Sequence, residues 1–171
     1  IVTVKAPALP DVAAGIGPLL GSKTVVVFAM NGIPWWYFLR HGGEHEGRQL
    51  ARIDPNDAIR KAVAIERVIG CVVYRGSEIV EPGVIRVETP KGRLVLGETG
   101  VDAEKLLAAQ KDQTHISSII LDILKGRRME FDALFAAPAE LGRLKGVPTP
   151  TFDLLSALVK AKARAVGSYA D

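Results

Sequence analysis

The feature that most constrains this chain is its opening strand–helix–strand pattern. Ile1-Val2-Thr3-Val4 is a run of four β-branched or apolar residues that reads as a buried parallel strand entering the loop Lys5-Ala6-Pro7. Pro10-Asp11, followed by Val12, Ala13, Ile16, Leu19 and Leu20, has helical spacing that Gly21 closes. Thr24-Val25-Val26-Val27-Phe28-Ala29 is a second buried strand, ending at Met30-Asn31-Gly32. A strand, a helix and a second strand of this kind form a βαβ unit with parallel strands and a right-handed crossover. Ile1 falls in mid-strand with no initiator methionine, so a segment upstream is expected.

The pattern then changes twice. Residues 34–56 are irregular, Asp57 to Val68 reads as a short helix, and Val68 to Tyr74 as a third buried strand. Glu81-Pro82-Gly83 is a turn. Val84 to Glu88 and Arg93 to Gly97 flank Pro90-Lys91-Gly92, which predicts an antiparallel hairpin. Beyond Asp102 the β-branched runs stop and apolar residues recur at three and four. Ile116, Ile119, Ile120, Ile123 and Leu124 mark one helix; Leu134, Leu141 and Leu144 mark another, ending at Gly146; Phe152 to Ala165 make a third. Pro138 falls inside the second, where it should kink or interrupt it. The expected fold class is therefore α/β followed by all-α, divided into residues 1–104 and 105–171.

Composition narrows the class. Among 171 residues, 48% are hydrophobic and the net charge is only +3, which excludes a disordered chain. The 22 basic and 19 acidic residues are interspersed, so the sequence pI of 9.1 does not imply a nucleic-acid partner. The single cysteine, Cys71, lies in an apolar run and reads as a buried, inert thiol. No apolar run reaches the roughly 18 residues that span a bilayer, and no signal peptide is seen, so a soluble, cytoplasmic protein is expected.

Lys5 and Asn31 stand just past the carboxyl ends of the first two strands, the edge where open α/β sheets place their ligands. The alternatives are a solvated lysine and a plain Asn-Gly turn. Trp35-Trp36-Tyr37-Phe38 offers rings for stacking on a base, but packing into a domain interface is favoured. His41 and His45 have the spacing of helical metal ligands, but Gly42 and Gly43 between them argue against a helix, and no metal is expected. Arg127-Arg128 reads as a favourable helix-dipole interaction.

Taken together, the segments resemble the ketopantoate reductases (2-dehydropantoate 2-reductases). Val2-Thr3-Val4-Lys5-Ala6 is similar to the family's strand ending in lysine, and Phe28-Ala29-Met30-Asn31-Gly32 to its strand ending in Asn-Gly. Gly70 to Tyr74, Pro82 to Ile85 and Leu94 to Glu98 resemble the last strands of its nucleotide domain. His115-Ile116-Ser117-Ser118, then Asp122, Gly126 to Leu134 and Leu141 to Pro150, resemble its C-terminal signature.

The resemblance implies that residues 1–104 are the second half of a Rossmann-like NADP-binding domain, and residues 105–171 an incomplete helical domain for substrate binding and dimerisation. It implies reduction of 2-dehydropantoate to D-pantoate with NADPH; the alternatives are another 2-oxo acid or a non-catalytic remnant. Lys5 would lie by the cofactor ribose and the active site, Asn31 at the nicotinamide and substrate, and Ser118 on the substrate carboxylate. Glu130 would reach the cofactor ribose, and Gly76 would let the backbone approach the nicotinamide. The partners implied are a small 2-oxo acid and a second copy in a homodimer. The family's Gly-rich phosphate loop and its lysine general acid have no counterpart in the sequence, and Leu106 to Lys111 looks like a splice of distant segments.

Overall fold

The computed structural model describes residues 1–40, 42–87, 91–97 and 118–170. Its main sheet has three strands in the order β1 (Val26–Ala29), β2 (Val68–Tyr74), β5 (Arg93–Gly97). The pair β1–β2 is parallel, from Val26↔Val68 to Ala29↔Cys71, as the crossover rule requires. The expected first strand shrinks to one parallel bridge, Val2↔Phe28, in which Val2 donates to Val27 O at 2.8 Å and Ala29 donates to Val2 O at 2.9 Å. Val2 is buried and Val4 packs against the core, while flanking Ile1 is 89% exposed.

Two expectations need correction. The predicted hairpin between Val84–Glu88 and Arg93–Gly97 does not form. β4 (Val84–Val87) pairs instead with β3 (Ser77–Glu81) across the Pro82-Gly83 turn, as a separate antiparallel ribbon. β5 pairs antiparallel with β2, from Gly70↔Gly97 to Tyr74↔Arg93. Turn chemistry decides this: Gly83, at φ +80°, supplies a left-handed turn residue, which leaves β5 free to pair elsewhere. The sheet is thus less parallel than expected. The first helix also ends early. α1 spans Leu9–Gly15 and is followed by a 3₁₀ turn at Gly17–Leu19, because Pro18 cannot continue an α-helical ladder.

α2 (Ala58–Ala62) is shorter than predicted, and its start has an unusual cap. Asn56 and Asp57 both have positive φ, so the capping carboxylate comes from Asp54. Its Oδ1 and Oδ2 accept the amides of Ile59 and Arg60 at 2.9 and 3.0 Å, and Asp54 is buried.

The described C-terminal residues contain helices and no strand: α3 (Ser118–Leu124), α4 (Ala137–Leu144) and α5 (Pro150–Ala165). Gly126, at φ +60°, closes α3: Arg127 N–H returns to Asp122 O and Gly126 N–H to Ile123 O, satisfying two orphan carbonyls. Pro138 does not break its helix. A π-helical segment, Asp132–Ala136, precedes it, with Ala137 N–H on Asp132 O. The wider register accommodates a ring that would otherwise clash with a carbonyl four residues back.

Two clusters of buried side chains result. One holds Val2, Leu9, Phe28, Trp35, Ile59, Val63 and Val68, and it takes in Ala133 and Ala137, with Leu141 and Leu144 packed against it. The other, Met129, Phe131 and Ala163 with Ile123, Phe135 and Val159, belongs to the helices. The segment from Phe131 to Leu144 therefore serves both, one face small and set on the sheet layer, the other aromatic and set on α5. The boundary expected at residue 104 lies outside the described residues, as do His115 and the junction Leu106 to Lys111.

Candidate active site

Strand register lines up the candidate residues. Lys5 and Asn31 each stand three residues past the bridged pair Val2↔Phe28, and Asn31 and Val73 each stand five past Val26↔Val68. All three therefore share one level at the carboxyl edge of the sheet. Asn31 uses this position as an extra rung of the ladder. Its Nδ2 donates to Val73 O at 3.1 Å, and Val73 N–H donates to its Oδ1 at 2.9 Å. The amide plane is thereby fixed, leaving one N–H and one lone pair for a ligand.

The next residues bind the helices. Gly32 has φ +95°, and a Cβ there would lie 2.9 Å from Ala133 Cβ. Ile33 N–H donates to Ala133 O at 3.2 Å. Asn-Gly is thus more than a turn: the glycine is demanded by the close approach of the π-helical segment.

Glu130 lies beside the Lys5-Ala6 segment. Glu130 stands directly before the helix that begins at Phe131, and its Oε1 accepts Ala6 N–H at 2.9 Å. Lys5 Nζ pairs with Asp122 Oδ2 and also donates to Arg128 O at 3.3 Å. Asp122 is only 4% exposed, and its Oδ1 takes Arg127 Nε at 3.2 Å. Burial pushes the Glu130 carboxyl above its ordinary value of 4.5; the Ala6 amide and the Lys5 ammonium oppose the rise, and the Asp122 charge adds to it. The result is a half-buried carboxyl next to a cation that remains 44% exposed. Such a pair can hold hydroxyls and an anion, and the carboxyl can carry a proton.

Ser118 opens α3, but its side chain lies outside the described residues. Gly76 sits in the two-residue link between β2 and β3 and takes no part in the Lys5–Asp122–Glu130 hydrogen bonds. Cys71 is buried, as its apolar run implied. Among the described residues no group of three potential ligands could hold a metal, and no helix is long and apolar enough to cross a membrane.

Sequence reasoning missed two features. Asp122 was legible only as one letter of a signature; its burial and its reach to Lys5, 117 residues away, are tertiary facts. The other is a cavity of about 710 Å³ beside Asn31, walled by Met30 to Arg40 and by residues of β2 and β5. Trp35 and Phe38 are buried, as the packing reading favoured, while Tyr37 is 44% exposed. The segment is a turn, and its two buried rings are set three apart.

Residues 1–100 match the family described as "Ketopantoate reductase PanE/ApbA", and residues 55–163 match "Ketopantoate reductase PanE/ApbA C terminal". The two matches overlap, so they set no boundary between domains. A 2-dehydropantoate 2-reductase of Mesorhizobium japonicum is 29% identical over 254 residues, covering 99% of this chain and 78% of that protein. Because those aligned positions outnumber the 171 residues here, stretches of the relative have no counterpart within the aligned span. A crystal structure described as a ketopantoate reductase from Ralstonia solanacearum MolK2 superposes with a TM-score of 0.81 at 28% identity, covering 98% of this chain and 77% of that one. D-mandelate dehydrogenase, solved with NADH and anilino(oxo)acetate, shares the fold at a TM-score of 0.68 and 17% identity, covering 97% and 75%. With both halves matched and the strand-end lysine, the Asn-Gly and the glutamate of the helical part gathered at one sheet edge, the chain belongs to the ketopantoate reductase family.

Proposed function

We propose that the protein is an NADPH-dependent reductase of a 2-oxo acid, with the reduction of 2-dehydropantoate to D-pantoate as its reference reaction. The observation that carries this reading is the convergence of Lys5, Asn31 and Glu130 at the carboxyl edge of the sheet, where doubly wound folds bind cofactors. Family membership supports it, and the names of the relatives supply the reaction class. The residues fit the ribose–nicotinamide end of a pyridine nucleotide: an ammonium, an oriented amide and a carboxyl with an oxygen to spare. The first helical turn, Ala6-Pro7-Ala8, is a poor phosphate cradle, because Pro7 has no N–H and Glu130 already takes the Ala6 amide.

When bound, the nucleotide supplies hydride. Lys5 would hold a ribose hydroxyl or the substrate carboxylate, and Asn31 would hold the carbonyl oxygen with its remaining N–H. Glu130 would accept a hydrogen bond from a ribose hydroxyl. Ser118 is assigned to the substrate carboxylate by resemblance. The test is loss of NADPH absorbance on adding 2-dehydropantoate to the full chain, with NADH in parallel. Absence of oxidation with every 2-oxo acid tried would overturn the reading.

A further inference from the structure

We propose that the cavity beside Asn31 is a side-chain pocket for an aryl-bearing 2-oxo acid, which it takes in preference to a small hydroxylated aliphatic one. This inference rests on the reductase reading above and names the substrate class. Position comes first. The cavity opens at the carboxyl end of β1, where Ala29 is the last residue paired with Cys71, and Asn31, Cys71 and Ala6 all line it. A carbonyl held by Asn31 would have its substituent in this space.

The lining selects the occupant. Among the described residues no aspartate or glutamate borders the cavity, whereas Arg40, His45 and Lys145 do. Arg40 is engaged by Glu66, but Lys145 has no carboxylate partner among the described residues. That charge balance favours an anion. The apolar wall is aromatic. Trp36 lies over Gly70, whose Cβ, if present, would come within 3.3 Å of the indole, and it packs 5.2 Å from the Phe28 ring centroid. Tyr37 also lines the cavity, 44% exposed, with its ring edge-on to Phe38 at 5.1 Å. Flat ring faces of this kind favour stacking on an aryl group over solvating an aliphatic diol. In the same wall the buried ring nitrogens Trp35 Nε1 and His45 Nε2 have no hydrogen-bond partner among the described residues, and an indole N–H can only donate.

The test uses a built-in reporter. The chain has two tryptophans and both line the cavity, so intrinsic fluorescence reads its occupancy. The full chain is titrated with phenylpyruvate, 2-dehydropantoate and phenylacetone, with free N-acetyltryptophanamide correcting for absorbance by the ligands. Phenylpyruvate should quench saturably, with a Kd about tenfold below that of 2-dehydropantoate. Lys145→Ala should weaken phenylpyruvate about threefold or more and leave phenylacetone unchanged. Tyr37→Ala, at a half-exposed ring, should narrow the aryl preference, with circular dichroism confirming that the variant stays folded. Equal affinity for the two acids, or no response to either variant, overturns the inference. NADPH oxidation is followed in parallel. Turnover of 2-dehydropantoate without an aryl preference removes only the substrate class; phenylpyruvate binding without turnover of any 2-oxo acid removes the reductase reading itself.

Discussion

Asp122→Asn is the most informative single change, because Asp122 ties the α/β part to the helices through one buried carboxylate. Its oxygens receive Lys5 Nζ and Arg127 Nε, and it is 4% exposed while both partners keep more than 40% of their side chains in water. A charge-assisted hydrogen bond contributes roughly 1.5–3 kcal/mol. Breaking a fully buried pair costs about 3–5 kcal/mol. Here the two cations can rehydrate, which lowers the penalty, and the asparagine oxygen still serves one of them. The expected loss is therefore about 2 kcal/mol, or a fall of roughly 4–8 °C in Tm for a chain of this size. Lys5→Met should cost less, since it removes one donor and leaves Arg127 in place. The double variant should show a coupling of about 1 kcal/mol between the two sites. Thermal unfolding followed by circular dichroism measures all three. A Tm for Asp122→Asn within about 1 °C of the parent would show that the pair holds nothing together, and would refute the magnitude argument.

Three further outcomes are expected. Gly32→Ala should destabilise by about 2–4 kcal/mol, since it combines an unfavourable φ of +95° with a methyl 2.9 Å from Ala133 Cβ; urea unfolding would show it, and a neutral result would mean that the helices shift freely. Asp54→Ala should cost about 2 kcal/mol by orphaning the amides of Ile59 and Arg60, and faster hydrogen exchange at those two amides is the specific sign. Glu130→Gln should alter the pH dependence of stability. The folded carboxyl titrates above 4.5, so the native state holds a proton that the unfolded chain has released; parent stability should fall as pH rises from 4.5 through the folded value, and the glutamine variant should lack that fall. Parallel stability curves for the two proteins would show that Glu130 is not perturbed in this way.

Much of the fold was legible, and where it failed the reason is physical. Apolar runs at Thr24–Ala29 and Val68–Tyr74 gave the parallel pair, because a continuous β-branched run needs little context to be read as a strand. The false hairpin arose because any two β-rich segments flanking a Pro-Lys-Gly look alike locally, while the true partner of β5 is the distant strand β2, with which it forms a five-residue ladder. At the site, strand-end position revealed Lys5 and Asn31. Asp122 could not be found that way: a single acid in a helical pattern carries no sign of what will cover it. Asn31 was singled out for a ligand, and the structure adds that its amide is already bonded to the strand beside it.

That pair of hydrogen bonds has a dynamic consequence. The four residues from Met30 to Ile33 are tied to β2 through the Asn31 amide and the Met30 N–H on Cys71 O, and to the π-helical segment through Ile33 N–H. Neither half of the molecule can open locally without loading this short tether. Amide exchange at Ile33 and at Val73, two positions forty residues apart in sequence, should therefore proceed through one shared opening event and slow or quicken together.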